Sequence, residues 1–340
     1  MSVFKDKPFV IAEMSGNHNQ SLERALELVD IAAECGAHAL KIQTYTPDTI
    51  TIDHDQHPFV ITDENSLWKG RKLYDLYAEA MTPWEWHKAI FQRGKEKGII
   101  VFSSPFDETA VDFLETLDAP IYKIASFENT HLPLLKKVAQ TGKPVIISSG
   151  TSNLAQLSEA VETLKTNGCP EIVVLKCTST YPATPENSNI LTIPHMLQLF
   201  GCRVGLSDHT AGIGVAVAAV ALGATVIEKH FTINRADGGV DSAFSIEPQE
   251  LRQLVAETER AYLALGHIQY DVQEIEQKSL QFKRSVYVVR DIEAGELLTE
   301  ENTKVIRPSG GLEPKYHEHV LGKPARTALK KGAPVTWESI

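Results

Sequence analysis

Short apolar runs rich in Val and Ile alternate with longer stretches whose apolar positions recur at helical spacing. That alternation is the pattern of repeated βα units around a parallel sheet. The runs predict strands at Phe9–Glu13, Ala39–Gln43, Ile99–Ser103, Ile121–Ile124, Val145–Ser148, Ile172–Lys176, Arg203–Ser207 and Val226–Lys229. Helical spacing covers Leu22–Cys35, Pro83–Lys97, Glu108–Leu117, Leu132–Gln140, Leu154–Thr166, Ile193–Phe200, Gly214–Leu222 and Pro248–Leu265. Gly36, Gly98, Gly142, Gly168, Gly201 and Gly223 each fall just past a helical stretch, where a left-handed cap is expected. Pro83 and Pro248 suit first helical turns, with Thr82 as the N-cap before Pro83. Eight strand–helix units predict a (β/α)8 TIM barrel. An open doubly wound sheet is the second reading, but Glu13–Asn19 lacks the G-x-G-x-x-G spacing usual after its first strand.

Two stretches break the repeat. Residues 44–80 form a long polar and aromatic insertion after the second strand, and long structured loops on barrels are often functional. Residues 266–283 read as a polar linker, and 284–340 as short strands and turns without βα alternation. The expected organisation is therefore a barrel over 1–265, a linker, and a small β-rich domain over 284–340.

Composition narrows the class. The 340 residues carry 33 Lys+Arg against 44 Asp+Glu, a net charge of −11, which argues against nucleic acid as a partner. A small anionic substrate needs only a few placed cations and stays open. No apolar run reaches membrane-spanning length, and the N-terminal residues turn polar too early for a signal peptide. Cys35, Cys169, Cys177 and Cys202 form no Cys-x-x-Cys pair, so free thiols in a cytoplasmic protein are expected.

Parallel barrel strands are buried on both faces, so polar residues at their ends call for a reason. Nearly every predicted strand ends in them: Glu13, Lys41 with Gln43, Ser103-Ser104, Lys123 with Ser126, Ser148-Ser149, Lys176, Ser207-Asp208-His209 and Glu228-Lys229-His230. Active sites of this fold lie at the C-terminal strand ends, so these groups are expected to converge. His209 and His230 end adjacent strands, and two neutral imidazoles with open positions suit Mn²⁺, Zn²⁺, Co²⁺ or Fe²⁺. Lys41, Lys123 and the paired serines suit an anion, although each lysine could instead pair with Glu13 or Glu128. Those two glutamates are candidates for proton transfer or for orienting a water. His18, His54, His57, His317 and His319 are expected at the surface or in secondary roles.

At these residues the chain resembles the sialic acid synthase family. The resemblance is carried by Ile-Ala-Glu13…Asn17-His18-Asn19, Lys41-Ile-Gln-Thr-Tyr, Tyr122-Lys123-Ile-Ala-Ser126, Gly205-Leu-Ser-Asp-His209-Thr and Ile227-Glu-Lys-His230-Phe. Residues 284–340 resemble the antifreeze-like (SAF) domain of those synthases. Leu73-Tyr-Asp-Leu-Tyr77…Thr82-Pro-Trp-Glu-Trp86 and the Asn19-Gln20 ending are most similar to the pseudaminic acid branch.

The resemblance implies condensation of phosphoenolpyruvate with an open-chain amino sugar, 2,4-diacetamido-2,4,6-trideoxy-altrose in the pseudaminic branch. The alternative is an N-acetylmannosamine-type sugar, as for N-acetylneuraminate or legionaminic acid. It implies a divalent metal on His209 and His230, Mn²⁺ first, with Mg²⁺ or Co²⁺ as alternatives. Lys41, Ser104, Lys123, Ser126, Ser149 and Ser207 match phosphoenolpyruvate ligands. Tyr181, Asp241, Glu128 and Glu13 match sugar- or water-handling positions. Arg307 matches an arginine that reaches the partner subunit's sugar, which implies a homodimer. At strand six, Ser179 stands where N-acetylneuraminate synthases commonly have asparagine, leaving a shorter hydroxyl donor.

Overall fold

The computed structural model describes residues 3–4 and 7–340. Residues 1, 2, 5 and 6, part of the segment read above as no signal peptide, lie outside the described residues. The chain divides into two compact units, Met1–Gly266 and His267–Ile340.

In the first unit eight parallel strands close into a barrel: β1 (Phe9–Glu13), β2 (Ala39–Thr44), β3 (Ile100–Pro105), β4 (Tyr122–Ile124), β5 (Val145–Ser148), β6 (Ile172–Cys177), β7 (Arg203–Asp208) and β8 (Val226–His230). β1 pairs with both β2 and β8, so the open sheet is excluded. The helices expected at 132–140, 154–166 and 248–265 form over those residues, and the other expected helices differ at their ends by one or two residues. All six glycines expected to end helices have positive φ, from 60° to 98°.

The barrel has two apolar layers of different phase. Phe9, Ile11, Ala39, Phe102, Ile121, Ile146, Val173, Leu175 and Val226 form the closed interior. Val10, Ala12, Leu40, Ile42, Val145, Ile147, Val174 and Ile227 point outward into the larger core shared with the helices. Successive strand side chains alternate between faces. This phase decides which polar residues reach the mouth.

Three local expectations change. Thr82 is not the cap of the helix Trp84–Lys97: Pro83 occupies that position at φ −51°, no side chain caps it, and the buried Thr82 hydroxyl has no hydrogen-bond partner. The insertion is not all loop, since Pro47–Ile50 and Leu73–Ala80 are helical. Leu73, Leu76, Tyr77 and Ala80 follow i, i+3, i+4, i+7, a signal hidden by the aromatic and acidic residues between them. His18 is fully buried, not superficial. Its Nδ1 accepts from the Gln20 amide at 3.1 Å and its ring meets Trp86 edge-on. His54, His57 and His319 are exposed, as expected.

The second unit has an antiparallel pair, β9 (Ser285–Val288) and β10 (Thr303–Ile306), with bridges at Tyr287–Pro334, Ile292–Leu329 and Leu297–Pro324. Val286, Val288, Ile292, Leu298, Val320 and Val335 form its own core. Residues 267–283 belong to this unit and carry a 3-10 helix, Glu274–Phe282, where the sequence reads as polar linker. Among the described residues no helix is long and apolar enough to cross a membrane.

Candidate active site

In seven strands the last interior apolar residue is followed, two positions on, by a polar or thiol side chain on the same face. Ile11 leads to Glu13, Ala39 to Lys41 and Gln43, Phe102 to Ser104, Ile121 to Lys123, and Ile146 to Ser148. Leu175 leads to Cys177, and Val226 to Glu228 and His230. All of these but Ser104, which lies behind Lys41, floor a cavity of about 580 Å³ at the C-terminal mouth of the barrel.

The floor is a buried charge network. Lys41 Nζ lies 2.9 Å from Glu13 Oε2 and 3.3 Å from Ser104 Oγ. Lys123 Nζ donates to Ser148 Oγ at 2.8 Å. Glu228 stands between the two ammonium groups, its Oε1 3.7 Å from each, and accepts from Ser207 Oγ at 3.3 Å. Lys123 therefore pairs with Glu228, while Lys41 has both Glu13 and Glu228. Burial opposes ionisation of Glu228, but Lys123 and Lys41 outweigh it and hold its carboxyl below the ordinary range. Burial lowers Lys123 and raises Glu13, whose Oε1 accepts from Gln43 Nε2 at 2.8 Å.

Loops beyond the strands complete the site. Burial raises Glu128 to about 7, and its Oε2 has no hydrogen-bond partner among the described residues. Ser126 Oγ donates to Cys177 Sγ at 3.3 Å. Gly150 permits this crowding, because a Cβ there would collide with the hydroxyls of Ser126 and Ser179. Asp241 accepts a hydrogen bond from Ser15 Oγ, and burial raises its carboxyl. Tyr181 lies 4.5 Å from the His209 ring, centroid to centroid. One wall is apolar: Tyr45, Ile61, Trp68, Leu73, Leu76 and Tyr77 line it. Trp68 is fixed by its Nε1 donating to Val240 O at 3.0 Å. Trp84 and Trp86 instead pack within the barrel layers, against Phe113 and His18.

His209 and His230 face the cavity with ring centroids 5.3 Å apart. His209 Nδ1 donates to Thr178 O at 3.0 Å, which leaves Nε2 as the acceptor in the neutral ring. His230 Nδ1 is buried without a hydrogen-bond partner, and burial followed by His209 keeps the ring neutral by lowering it well below 6.5. Two imidazoles in one polar cavity, His230 with an unpartnered Nδ1 and His209 also hydrogen-bonded to Cys177, are a fitting donor pair for a divalent cation. No cluster of three or more His, Cys, Asp or Glu ligands occurs among the described residues, so protein donors alone would leave coordination positions open.

Of the expected site residues, Glu13, Lys41, Lys123, Ser126, Glu128, Ser179, Tyr181, Ser207, His209, His230 and Asp241 all line the cavity, and Ser104 supports it through Lys41. Ser149 does not reach it: it is out of phase, its Oγ accepts from the Cys177 amide at 3.2 Å, and it lines a neighbouring groove. Ser148 takes its place. The expected convergence of all strand-end polar residues fails for the same reason at Ser103, which bonds Thr44 Oγ1, and at Lys176, which turns to Cys177 O and Thr178 Oγ1. Asp208 and Lys229 also face away, toward each other. Arg307 is exposed, just past β10 in the second unit. Gln43, Ser148 and Glu228 are among the strand-end polar residues expected to converge, without an assigned role; counting on in steps of two from Ala39, Ile146 and Val226 places all three in the cavity.

Comparison with known proteins agrees with this geometry. Residues 28–270 match the NeuB family model and residues 283–340 the SAF domain. The chain is 44% identical to a pseudaminic acid synthase of Campylobacter jejuni, over 96% of this chain and 94% of that one. It is 40% identical to a pseudaminic acid synthase of Helicobacter pylori, over 98% of both chains. Among solved structures, an N-acetylneuraminic acid synthetase from Leptospira borgpetersenii, crystallised with citrate, superposes with a TM-score of 0.71 at 33% identity, covering 82% of this chain and 92% of that one. A closed barrel with this mouth, joined to a SAF domain, places the chain in the NeuB family.

Proposed function

We propose that the chain is a pseudaminic acid synthase. It condenses phosphoenolpyruvate with 2,4-diacetamido-2,4,6-trideoxy-altrose and water, giving pseudaminic acid and phosphate. The observation that carries the reading is near full-length similarity, at 40% and 44% identity, to two pseudaminic acid synthases. The apolar wall of Trp68, Leu73, Leu76 and Tyr77 supports the choice of sugar. A 6-deoxy sugar presents a methyl where a mannosamine presents a hydroxyl, and an apolar wall discriminates against the hydroxyl by leaving it unpaired.

Lys41 and Lys123 hold the phosphate and carboxylate of phosphoenolpyruvate, with Ser104, Ser126, Ser148, Ser179 and Ser207 as neutral donors. His209 and His230 would hold a divalent cation, Mn²⁺ first and Mg²⁺ or Co²⁺ as alternatives. Bound there, such an ion polarises a carbonyl oxygen. C3 of phosphoenolpyruvate attacks the aldehyde carbon, leaving positive charge at C2. Water adds at C2 as Glu128 takes its proton, and the C2–O bond to phosphate then breaks to leave the keto acid. Glu128 suits the task because a base near 7 is half-ionised at neutral pH. Glu13 orients the water and Asp241 and Tyr181 bind the sugar.

The working unit is a homodimer in which Arg307 acts in trans on the partner's sugar. Support comes from the segment before β9, where Ile268, Tyr270 and Ile275 are 91%, 97% and 85% exposed in the single chain, an apolar row that a second copy would cover.

Phosphate release from phosphoenolpyruvate, measured with a panel of acetamido sugars with and without chelator, tests the reading. Turnover should be fastest with the 6-deoxy diacetamido sugar and should stop with chelator. A higher kcat/KM on N-acetylmannosamine would move the assignment to the N-acetylneuraminate branch.

A further inference from the structure

We propose that Lys229, through its buried pair with Asp208, is the positioning residue that fixes His209 and His230 relative to each other. The inference rests on the two-histidine metal reading above and concerns residues that reading leaves unassigned. Asp208 and Lys229 are direct lateral partners in the β7–β8 register, on the face opposite the cavity. Their side chains are 1% and 0% exposed, and Lys229 Nζ lies 2.7 Å from Asp208 Oδ2. The same ammonium donates to Thr210 O at 2.6 Å. Asp208 Oδ1 in turn accepts from the Thr210 amide at 2.9 Å and from Thr210 Oγ1 at 2.8 Å.

Both chain neighbours of His209 are thus tied to one ammonium group, and that ammonium belongs to the residue immediately before His230. β7 ends at Asp208, so beyond that point His209 has no ladder bonds, and Ala183 N and Thr178 O, both in the loop after β6, bond its carbonyl and its Nδ1 at 3.0 Å each. The clamp adds the tie to β8 that those two bonds do not make. A fully buried ion pair is weak as a source of net stability, because desolvation offsets its attraction. Its geometric demands are strict, which suits it to hold two ligands at a set spacing.

The test titrates Mn²⁺ into the metal-stripped full chain and reads free Mn²⁺ by electron paramagnetic resonance. Wild type should bind saturably and His230→Ala should not. The paired variant Asp208→Asn/Lys229→Met removes the clamp without stranding a buried charge, and should bind about tenfold or more weakly. Lys229→Arg, which can keep both bonds, should recover most of that loss. A merely structural pair would lower Tm and leave Mn²⁺ affinity alone, so a folded paired variant that binds as tightly as wild type overturns the proposal. If the paired variant does not fold, Thr210→Val decides in its place: it drops one bond and should weaken binding about two- to tenfold, and unchanged affinity overturns the proposal. Wild type that takes up no Mn²⁺ defeats the metal reading itself, and the clamp's stated role falls with it.

Discussion

Glu128 and Glu228 sit in one cavity and are pushed in opposite directions. Burial lifts Glu128 to about 7, whereas two lysines hold Glu228 ionised. If Glu128 takes the proton of the attacking water, it must be deprotonated to work, so kcat/KM should rise with pH through about 7. Glu128→Gln should flatten that limb and slow turnover by about a hundredfold or more, and a pH–rate profile of both proteins checks it. Glu228→Gln should do something different. It leaves Lys41 and Lys123 without their shared counter-ion, at a cost of about 3–5 kcal/mol for a broken buried pair. Inorganic phosphate or phosphoenolpyruvate can supply the missing charge, so either should raise Tm more in the variant than in wild type. Thermal unfolding with and without phosphate reads that difference. Most of the residue types in this site were legible in the sequence, because a charged side chain ending a buried Val/Ile-rich run must meet a counter-charge or a ligand there. Their direction was not: Ser148 and Ser149 look alike in sequence, and only the pleat, counted from Ile146, separates the one in the cavity from the one outside it.

Among the elements, strands and helices were read with small errors because apolar period and capping glycines agreed. The expected strands stopped one residue short at Thr44, Cys177, Asp208 and His230, since polar side chains there looked like loop. Behind the β2–β3 ladder the structure holds two buried histidines that the sequence does not distinguish from exposed ones. His87 Nε2 meets Thr44 Oγ1 at 2.8 Å and its Nδ1 meets Pro83 O, while His18 packs on Trp86. Burial depresses both from 6.5 to about 4. Below 6.5 the unfolded chain takes up protons that the folded chain refuses, so stability is intact above 6.5 and declines as pH falls toward 4. The loss is about 2 kcal/mol per histidine at about pH 5 and reaches about 3 kcal/mol only below about pH 4. Denaturant midpoints at about pH 7 and about pH 5 should differ accordingly, and His87→Gln, if it folds, should reduce the difference.

For the whole molecule, charge is divided unevenly. Residues 284–340 hold 9 Lys+Arg and 8 Asp+Glu, leaving 33 − 9 = 24 against 44 − 8 = 36 for residues 1–283. The acidic excess therefore belongs to the barrel portion, and of its buried lysines Lys41 and Lys123 face the cavity while Lys229 faces away from it. Truncation after Gly266 and the point change Arg307→Ala should both raise KM for the sugar by about tenfold or more while sparing phosphoenolpyruvate binding, as loss of a charged contact does. Mixing Arg307→Ala with a barrel-dead His230→Ala chain should restore activity if Arg307 acts in trans. Steady-state kinetics on the mixture measures this, and a fully active monomer by sizing would contradict it.

The apolar wall has a consequence for descent. The charged side chains of the cavity floor, Glu13, Lys41, Lys123 and Glu228, are continuations of the barrel's own interior, two residues past Ile11, Ala39, Ile121 and Val226, so altering them disturbs the scaffold beneath. The wall residues from Tyr45 to Tyr77 instead come from one contiguous excursion of the chain between β2 and the helix Trp84–Lys97. Chemistry and taste are thus written in separate passages of the text. A lineage can revise the second without rereading the first, so one ancestral reaction can meet new sugars largely by editing one loop, with Tyr181 and Asp241, in the loops after β6 and β8, left to adjust.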